Sequence, residues 1–343
     1  MLTHQQAVDL LSDPDLIGTG MAADAVRRRL HPEAVVTYIV DRNINYTNFC
    51  TEFCTFCAFY RPMGHPEGYV IGKEELFAKI QETLDLGGTG ILMQGGLHPG
   101  LAIEWYEDIL RDIKRRFQIH LHCFSSPEIL NIADVSGLSL RDTIARLRDA
   151  GLDSIPGGGA EILDDNVRSR VSRLKCTTEE WAEVHRVAHA LGINTTATMM
   201  FGCGETLDER VNHLEVVRRI QEETGGFTAF IPWTFQKENT SLGHSFREEA
   251  TATEYLKTLA VSRLYLENIP NVQASWVTQG LKLCQIALRF GSNDVGSIMI
   301  EENVVSAAGA HNRSTEEELR RIIRDAGFIP KQRDTLYRTL FLN

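Results

Sequence analysis

The sequence has no long apolar run. No stretch approaches the roughly 20 apolar residues that a membrane-spanning helix needs. It also has no excess of positive charge: 35 Lys and Arg stand against 46 Asp and Glu, a formal net charge of −11. A nucleic-acid partner requires cations to neutralise its phosphates, so this balance argues against one. Met1 to Pro14 carries no basic segment followed by an apolar core, so no secretory leader is expected there. A cytoplasmic chain with no membrane partner is the expectation. Low-complexity tracts and strong internal repeats are missing too.

Cysteine is scarce and uneven. Of seven, Cys50, Cys54 and Cys57 fall within eight positions, while Cys123, Cys176, Cys203 and Cys284 are scattered. In a reducing compartment the crowded three point to metal ligation rather than disulfides. The scattered four read as small buried residues. A fourth ligand is missing beside the trio. Structural zinc takes four ligands, and ferredoxin-type clusters take four cysteines. The C-x3-C-x2-C loop therefore suits an iron–sulfur cluster with one iron open to an exogenous ligand. A zinc site completed by His65 or a distant cysteine, in a binding protein without catalysis, is the alternative. Phe49, Phe53, Phe56, Phe59 and Tyr60 interleave the cysteines and would shield a cluster from water.

What is present is alternation. Hydrophobic residues at 43% and charged residues at 24% are ordinary for a globular chain. Apolar runs at Val35–Val40, Gly90–Met93, Ile119–Phe124, Leu152–Ile155, Asn194–Met200, Thr228–Trp233 and Val272–Trp276 read as strands. Helical patterns over 73–86, 102–117, 140–150, 178–191, 207–223 and 252–268 separate them, several stopping at glycine. This order predicts an α/β fold, a TIM-type (β/α) barrel that is complete or nearly so. Residues 1–34 are expected to form an N-terminal helical extension and 35–343 the barrel. A last helix and tail begin near Glu316, with Gly327 and Pro330 ending the helix. In such barrels chemistry sits at the C-terminal ends of the strands, and the cysteine loop follows the first run.

Further blocks sit at the ends of the runs: Arg42 to Asn48, Ala58 to Arg61, Gln94 to Pro99, Ser125 to Ile129, Asp153 to Glu161, Phe230 to Gln236, Trp276 to Gly280 and Glu301 to Val305. With them the chain resembles the radical-SAM superfamily and, within it, the dehypoxanthine futalosine cyclases (cyclic dehypoxanthinyl futalosine synthases) of the futalosine route to menaquinone. The resemblance runs from about Thr37 to the C-terminus. Lys237 and Leu281 depart from the family pattern, which has proline at both places. The resemblance implies a 4Fe–4S cluster on Cys50, Cys54 and Cys57 and S-adenosyl-L-methionine on its open iron. It implies a 5′-deoxyadenosyl radical that takes hydrogen from ribose C4′ of a nucleoside-benzoate substrate. The carbon radical then adds to the benzoate ring, and loss of an electron and a proton restores aromaticity. A flavodoxin or ferredoxin would be the reductant. Aminodeoxyfutalosine synthase and the deazaflavin-forming radical-SAM enzymes share several of these blocks and are the alternatives.

The same placement suggests individual roles. Gln94, Gly95 and Gly96 occupy the superfamily's Gly-rich strand end, where backbone can approach the cofactor closely. Tyr60, Ser126, Glu128, Glu161, and Arg173 together with Lys175 are further candidates for cofactor contact; capping is the alternative for Ser126 and Glu128, and surface charge for Arg173 and Lys175. His98, Thr198, Trp233, Gln236, Gln279 and Asn303 are candidate substrate contacts, with core packing the alternative for Trp233. Glu161, Asp294 and Glu301 are candidate catalytic groups, since a buried carboxylate of raised pKa can take the final proton.

Overall fold

The computed structural model describes residues 2–246 and 248–340. Ten strands, β1 (Val35–Ile39), β2 (Asp41–Asn45), β3 (Gly90–Gln94), β4 (His120–Cys123), β5 (Ser154–Ile155), β6 (Asn194–Phe201), β7 (Phe227–Thr234), β8 (Asn271–Val272), β9 (Asp294–Ser297) and β10 (Ile329–Gln332), pair in parallel throughout. Seven form one sheet in the order β2 to β8, and three form a second in the order β10-β1-β9. A parallel bridge between Gln273 and Asp294 joins the end of β8 to β9. Strand pairing thus runs from β2 round to β9 and β1, and β1 leads through Val40 straight into β2. The result is a TIM-type barrel, and the second sheet is its seam.

Crossover helices follow the expected pattern because their ends are specified locally. Thr177 and Glu180, Thr206 and Glu209, and Thr315 and Glu318 each form a capping box that satisfies free amides at a helix start. Gly137 and Gly225 end two helices at φ of 63° and 66°, a left-handed turn that glycine adopts without a Cβ penalty. The helix Ile103–Arg116 buries Ile103, Tyr106, Ile109, Leu110 and Ile113 on one face, which seats it against the sheet.

The structure adds elements that the apolar pattern did not indicate. β2 is polar at Asp41, Asn43 and Asn45. Residues 126–136 and 276–287 are helices, so the seventh expected strand ends at Val272. Residues 329–332, expected as tail, are a strand. Pro330 is tolerated there because β10 is an edge strand. Residues 341–343 of the expected tail lie outside the described residues. Helices His4–Ser12 and Leu16–Leu30 pack against the helix Ala252–Tyr265 on the barrel's flank. Among the described residues no helix is long and apolar enough to cross a membrane.

Candidate active site

Two cavities meet at the C-terminal ends of the strands. The mouth cavity, about 200 Å³, is lined by Cys50, Cys54 and Cys57 with Tyr60, Gln94, Gly95, Gly96 and Lys175. The deep cavity, about 280 Å³, reaches into the barrel and is lined by Asp41, Asn43, His122, Thr196, Thr198 and Arg333 among others. Gln94, Gly159, Glu161 and Trp233 line both. A ligand held at the thiols therefore has a continuous wall towards the barrel interior.

The cysteine loop follows β2 and is fastened on three sides. Cys50 N–H donates to Arg61 O at 3.1 Å and Arg61 N–H to Asn48 O at 2.7 Å, closing its neck. Thr51 N–H donates to Leu97 O at 3.2 Å, and Thr55 N–H to Val171 O at 3.0 Å. Arg61 Nη1 also donates to the carbonyls of Ala58 and Tyr60 at 3.1 and 2.9 Å. Phe53 takes a φ of 47°, an uncommon value for a non-glycine residue, and its ring meets Tyr60 edge-on at 5.5 Å. Burial pushes the Cys50 thiol up and the Cys54 thiol up to about 12, with Lys175 opposing both shifts. Without metal these groups are neutral thiols, so metal binding must release their protons.

Glycine is required where the loop meets β3. A Cβ on Gly96 would lie 2.2 Å from Phe49 O and 2.8 Å from Cys50 Cβ. The amides of Gly95 and Gly96 are taken by Glu128 Oε1 and Thr47 O, both at 2.9 Å. Close backbone approach is thus real here, and it is the cysteine loop that approaches.

Glu128 ties this region together. Its buried carboxylate also accepts from Ser125 N–H at 2.8 Å, Ser125 Oγ at 2.5 Å and Tyr46 Oη at 2.9 Å. Burial still raises its pKa to about 7 against these bonds. Ser126, expected at the cofactor, is instead fully buried with Oγ 3.1 Å from His185 Nε2; Ser125 lines the cavity in its place. Ser125 is the N-cap of the helix and Ser126 its first residue.

Arg173 is likewise corrected. It is exposed and lies off both cavity walls, whereas Lys175 points in and donates to Glu161 Oε1 at 3.0 Å. Burial alone would lower the Lys175 pKa, but Glu161 and Cys54 raise it overall. Glu161 holds a φ of 38°, and its Oε2 is buried without a hydrogen-bond partner. A strained residue with a buried carboxylate oxygen that accepts no hydrogen bond, at the junction of two cavities, marks a ligand site. Three thiols in one loop, a buried cation and an unsatisfied carboxylate fit a cluster with a zwitterionic amino-acid ligand.

Thr198 and Trp233 line the deep cavity as expected, Thr198 Oγ1 also donating to Gly157 O at 2.7 Å. Packing accounts for part of the triple glycine: a Cβ on Gly157 would stand 2.5 Å from Thr196 O. The other candidates do not line either cavity. Asp294 is fully buried and saturated, by Arg333 at 2.6 and 2.9 Å, Thr37 Oγ1 at 2.5 Å and Gly296 N–H at 2.8 Å. Glu301 is held by Lys79 at 2.8 Å and by Asn303 at 3.0 Å. Neither carboxylate is a free proton acceptor at the cavity. Asn303 reaches Asn45 Oδ1 at 3.2 Å, while Gln279 and Gln236 both donate to Thr234 Oγ1, at 2.6 and 3.1 Å. Asn303 thus braces Asn45 of the mouth wall, while Gln236 and Gln279 hold Thr234, which lines neither cavity. His98 packs edge-on against Phe49 at 5.7 Å.

Sequence reasoning missed Asp41, Asn43, His122 and Arg333. The signal was alternation: Asp41, Asn43 and Asn45 on β2, and His120 and His122 on β4, are polar at every second position, which places them on one face of a strand. Burial raises Asp41 to about 6 despite a hydrogen bond from Ser297 and the nearby Arg333.

Fold and site together define a barrel enzyme whose thiol-lined mouth opens onto an interior cavity of mixed polar and apolar lining. The profile of the radical SAM superfamily matches residues 44–217, and that of the CofH/MqnC C-terminal region matches residues 224–342. The chain belongs to the radical SAM superfamily, with a C-terminal part of CofH/MqnC type. It is an S-adenosyl-L-methionine radical enzyme of the 4Fe–4S class. It is 50% identical to the cyclic dehypoxanthine futalosine synthase of Halalkalibacterium halodurans, over 98% of this chain and 90% of that one. It is 41% identical to the 5-amino-6-(D-ribitylamino)uracil–L-tyrosine 4-hydroxyphenyl transferase of Methanothermobacter thermautotrophicus, over 99% and 94%. The crystal structure of methylornithine synthase shares the fold with a TM-score of 0.73 at 18% identity, covering 96% of this chain and 94% of that one.

Proposed function

We propose that the protein converts dehypoxanthine futalosine to its cyclic product in menaquinone biosynthesis, with Cys50, Cys54 and Cys57 as the cluster ligands. The observation that carries this reading is the shared wall of Gln94, Gly159, Glu161 and Trp233, which joins the thiol-lined mouth to the interior cavity. Likeness across nearly the whole chain to the Halalkalibacterium halodurans synthase supports it.

When bound, the cluster supplies the electron that breaks a sulfonium bond of S-adenosyl-L-methionine and so furnishes the 5′-deoxyadenosyl radical. The chain's own residues do the rest. Lys175 would hold the methionyl carboxylate and Glu161 the ligand's cationic or hydroxyl groups, while Gln94 would stand at the boundary between cofactor and substrate. Trp233 offers an aromatic face to the benzoate ring. Thr196, Thr198, Asn43 and Asp41 line the region for the ribose. Hydrogen leaves ribose C4′, that carbon joins the benzoate ring, and an electron and a proton depart. A flavodoxin- or ferredoxin-type protein provides the reducing electron. Positions 35–343 are read as one barrel unit, with the helices His4–Ser12 and Leu16–Leu30 as its N-terminal extension.

A second reading, transfer of a tyrosine-derived 4-hydroxyphenyl group to an aminouracil, is supported by the 41% identity to the Methanothermobacter thermautotrophicus enzyme. Anaerobically reconstituted protein given each substrate pair in turn, with products resolved by mass, separates the two. Cyclised product with free 5′-deoxyadenosine supports ring closure, and a hydroxyphenyl adduct refutes it. Cys50→Ser is expected to abolish turnover and the brown iron–sulfur absorption together.

A further inference from the structure

The deep cavity is linked to the opposite end of the barrel by three side chains not given any role above. His120 and His122 alternate on β4, while Leu121 and Cys123 between and beside them belong to the apolar core. The strand register pairs His122 with Ser154 on β5. The buried Ser154 Oγ lies 2.6 Å from His122 Nδ1 and 2.7 Å from His120 Nε2. His122 lines the deep cavity. His120 lines a separate, open surface cavity of about 550 Å³ together with Asp153, Lys114, Asp334 and Arg338. A hydroxyl accepts and donates at once, and a neutral imidazole carries one donor and one acceptor. The three groups are thus one unbroken hydrogen-bonded chain with a cavity at each end.

We propose that His122, Ser154 and His120 form a proton path that carries the proton released on ring closure out of the deep cavity to the surface cavity. This role rests on the ring-closing function proposed above. The balance is simple. The cyclised radical gives its electron to a one-electron acceptor of iron–sulfur or flavin class and its ring proton to His122 Nε2. His122 passes its Nδ1 proton to Ser154 Oγ, Ser154 passes its own to His120 Nε2, and His120 releases its Nδ1 proton beside Asp153. Water in the two cavities resets the tautomers between turnovers. Burial, with His120 and Arg333 nearby, lowers the His122 pKa to about 3. Burial also lowers that of His120, with Lys114 and Arg338 acting the same way and Asp153 and Asp334 opposing. Such rings hand a proton on instead of holding it. Asp41 and Arg333 also face the deep cavity, but Arg333 is committed to Asp294, and neither shares a hydrogen bond with the Ser154 chain.

The test uses reconstituted holoenzyme and dehypoxanthine futalosine. Ser154→Ala and His120→Ala are expected to lower kcat for cyclised product about tenfold or more, with KM little changed. 5′-Deoxyadenosine should then outrun product. Millimolar imidazole, which fits the vacated surface cavity, should restore His120→Ala but not Ser154→Ala. Wild-type kcat in Ser154→Ala, or a His120→Ala defect that imidazole leaves untouched, overturns the path. If the native enzyme makes no cyclised product, the functional reading fails by itself. The path is then judged by nitrogen NMR of the imidazoles: Ser154→Ala must move His120 and His122 signals together, and unmoved signals overturn it.

Discussion

Lys175→Met removes the cation of a buried pair and keeps most of the side chain's volume. Lys175 and Glu161 side chains are 12% and 6% exposed, with Nζ 3.0 Å from Oε1. At an effective dielectric of 20 that separation corresponds to about 5–6 kcal/mol of attraction. Freeing the ammonium from its desolvation cost offsets several kcal/mol of this. Arg168, 3.8 Å from Glu161 Oε2, stays behind as partial compensation. The expected net loss is about 2–3 kcal/mol, below the roughly 3–5 of a fully orphaned charge. Urea unfolding of anaerobically reconstituted protein measures it. The double variant Lys175→Met with Glu161→Gln should regain at least half the loss, because no charge is then left unpaired. S-adenosyl-L-methionine affinity should fall in both. A single-variant loss under about 0.5 kcal/mol, or simple additivity in the cycle, would refute the buried-pair account.

Three other outcomes follow from the geometry. Asp41 has a folded-state pKa raised from 3.8 to about 6, so its ionisation weakens the fold as pH rises through that window. Because it faces a cavity, Asp41→Asn should stabilise by about 1–2 kcal/mol at pH 8 and by nothing below its unperturbed pKa; a pH-independent offset in unfolding free energy would contradict this. Gly96→Ala should cost about 1–3 kcal/mol and lower bound iron, while Gly72→Ala, whose Cβ meets nothing within 4 Å, should leave iron content unchanged. Arg333→Met strands the saturated, fully buried Asp294 and should cost about 3 kcal/mol by thermal or urea unfolding.

Much of the barrel was legible in the sequence because its helices advertise their ends. Gly151 and Gly192 mark where two of them stop, while the Thr-x-x-Glu capping boxes emerge only with the structure. β2 escaped notice for a physical reason. Its inward residues Asp41 and Asn43 line the deep cavity, so the apolar alternation that reveals a half-buried strand is inverted. β10 escaped because Pro330 reads as a terminator unless the strand lies at an edge. At the site, the cysteine spacing and its exogenous-ligand logic were plain, as was Glu161 within its glycines. Ser125 against Ser126 and Lys175 against Arg173 were not separable, since one or two residues of helical or turn phase decide which side chain faces the cavity. Arg333 was invisible because its place depends on two strands far apart in sequence.

The adjacency of β1 and β10 has a consequence for how the molecule comes into being. On the ribosome the cysteine loop emerges well before β10 and before Arg333, the residue that neutralises Asp294. Until then Asp294 lacks its counter-charge and the interior stands open along one side. The charge of Asp294 thus has no partner in a nascent chain until Arg333 has emerged, so the β1 seam closes after the thiol loop has been made.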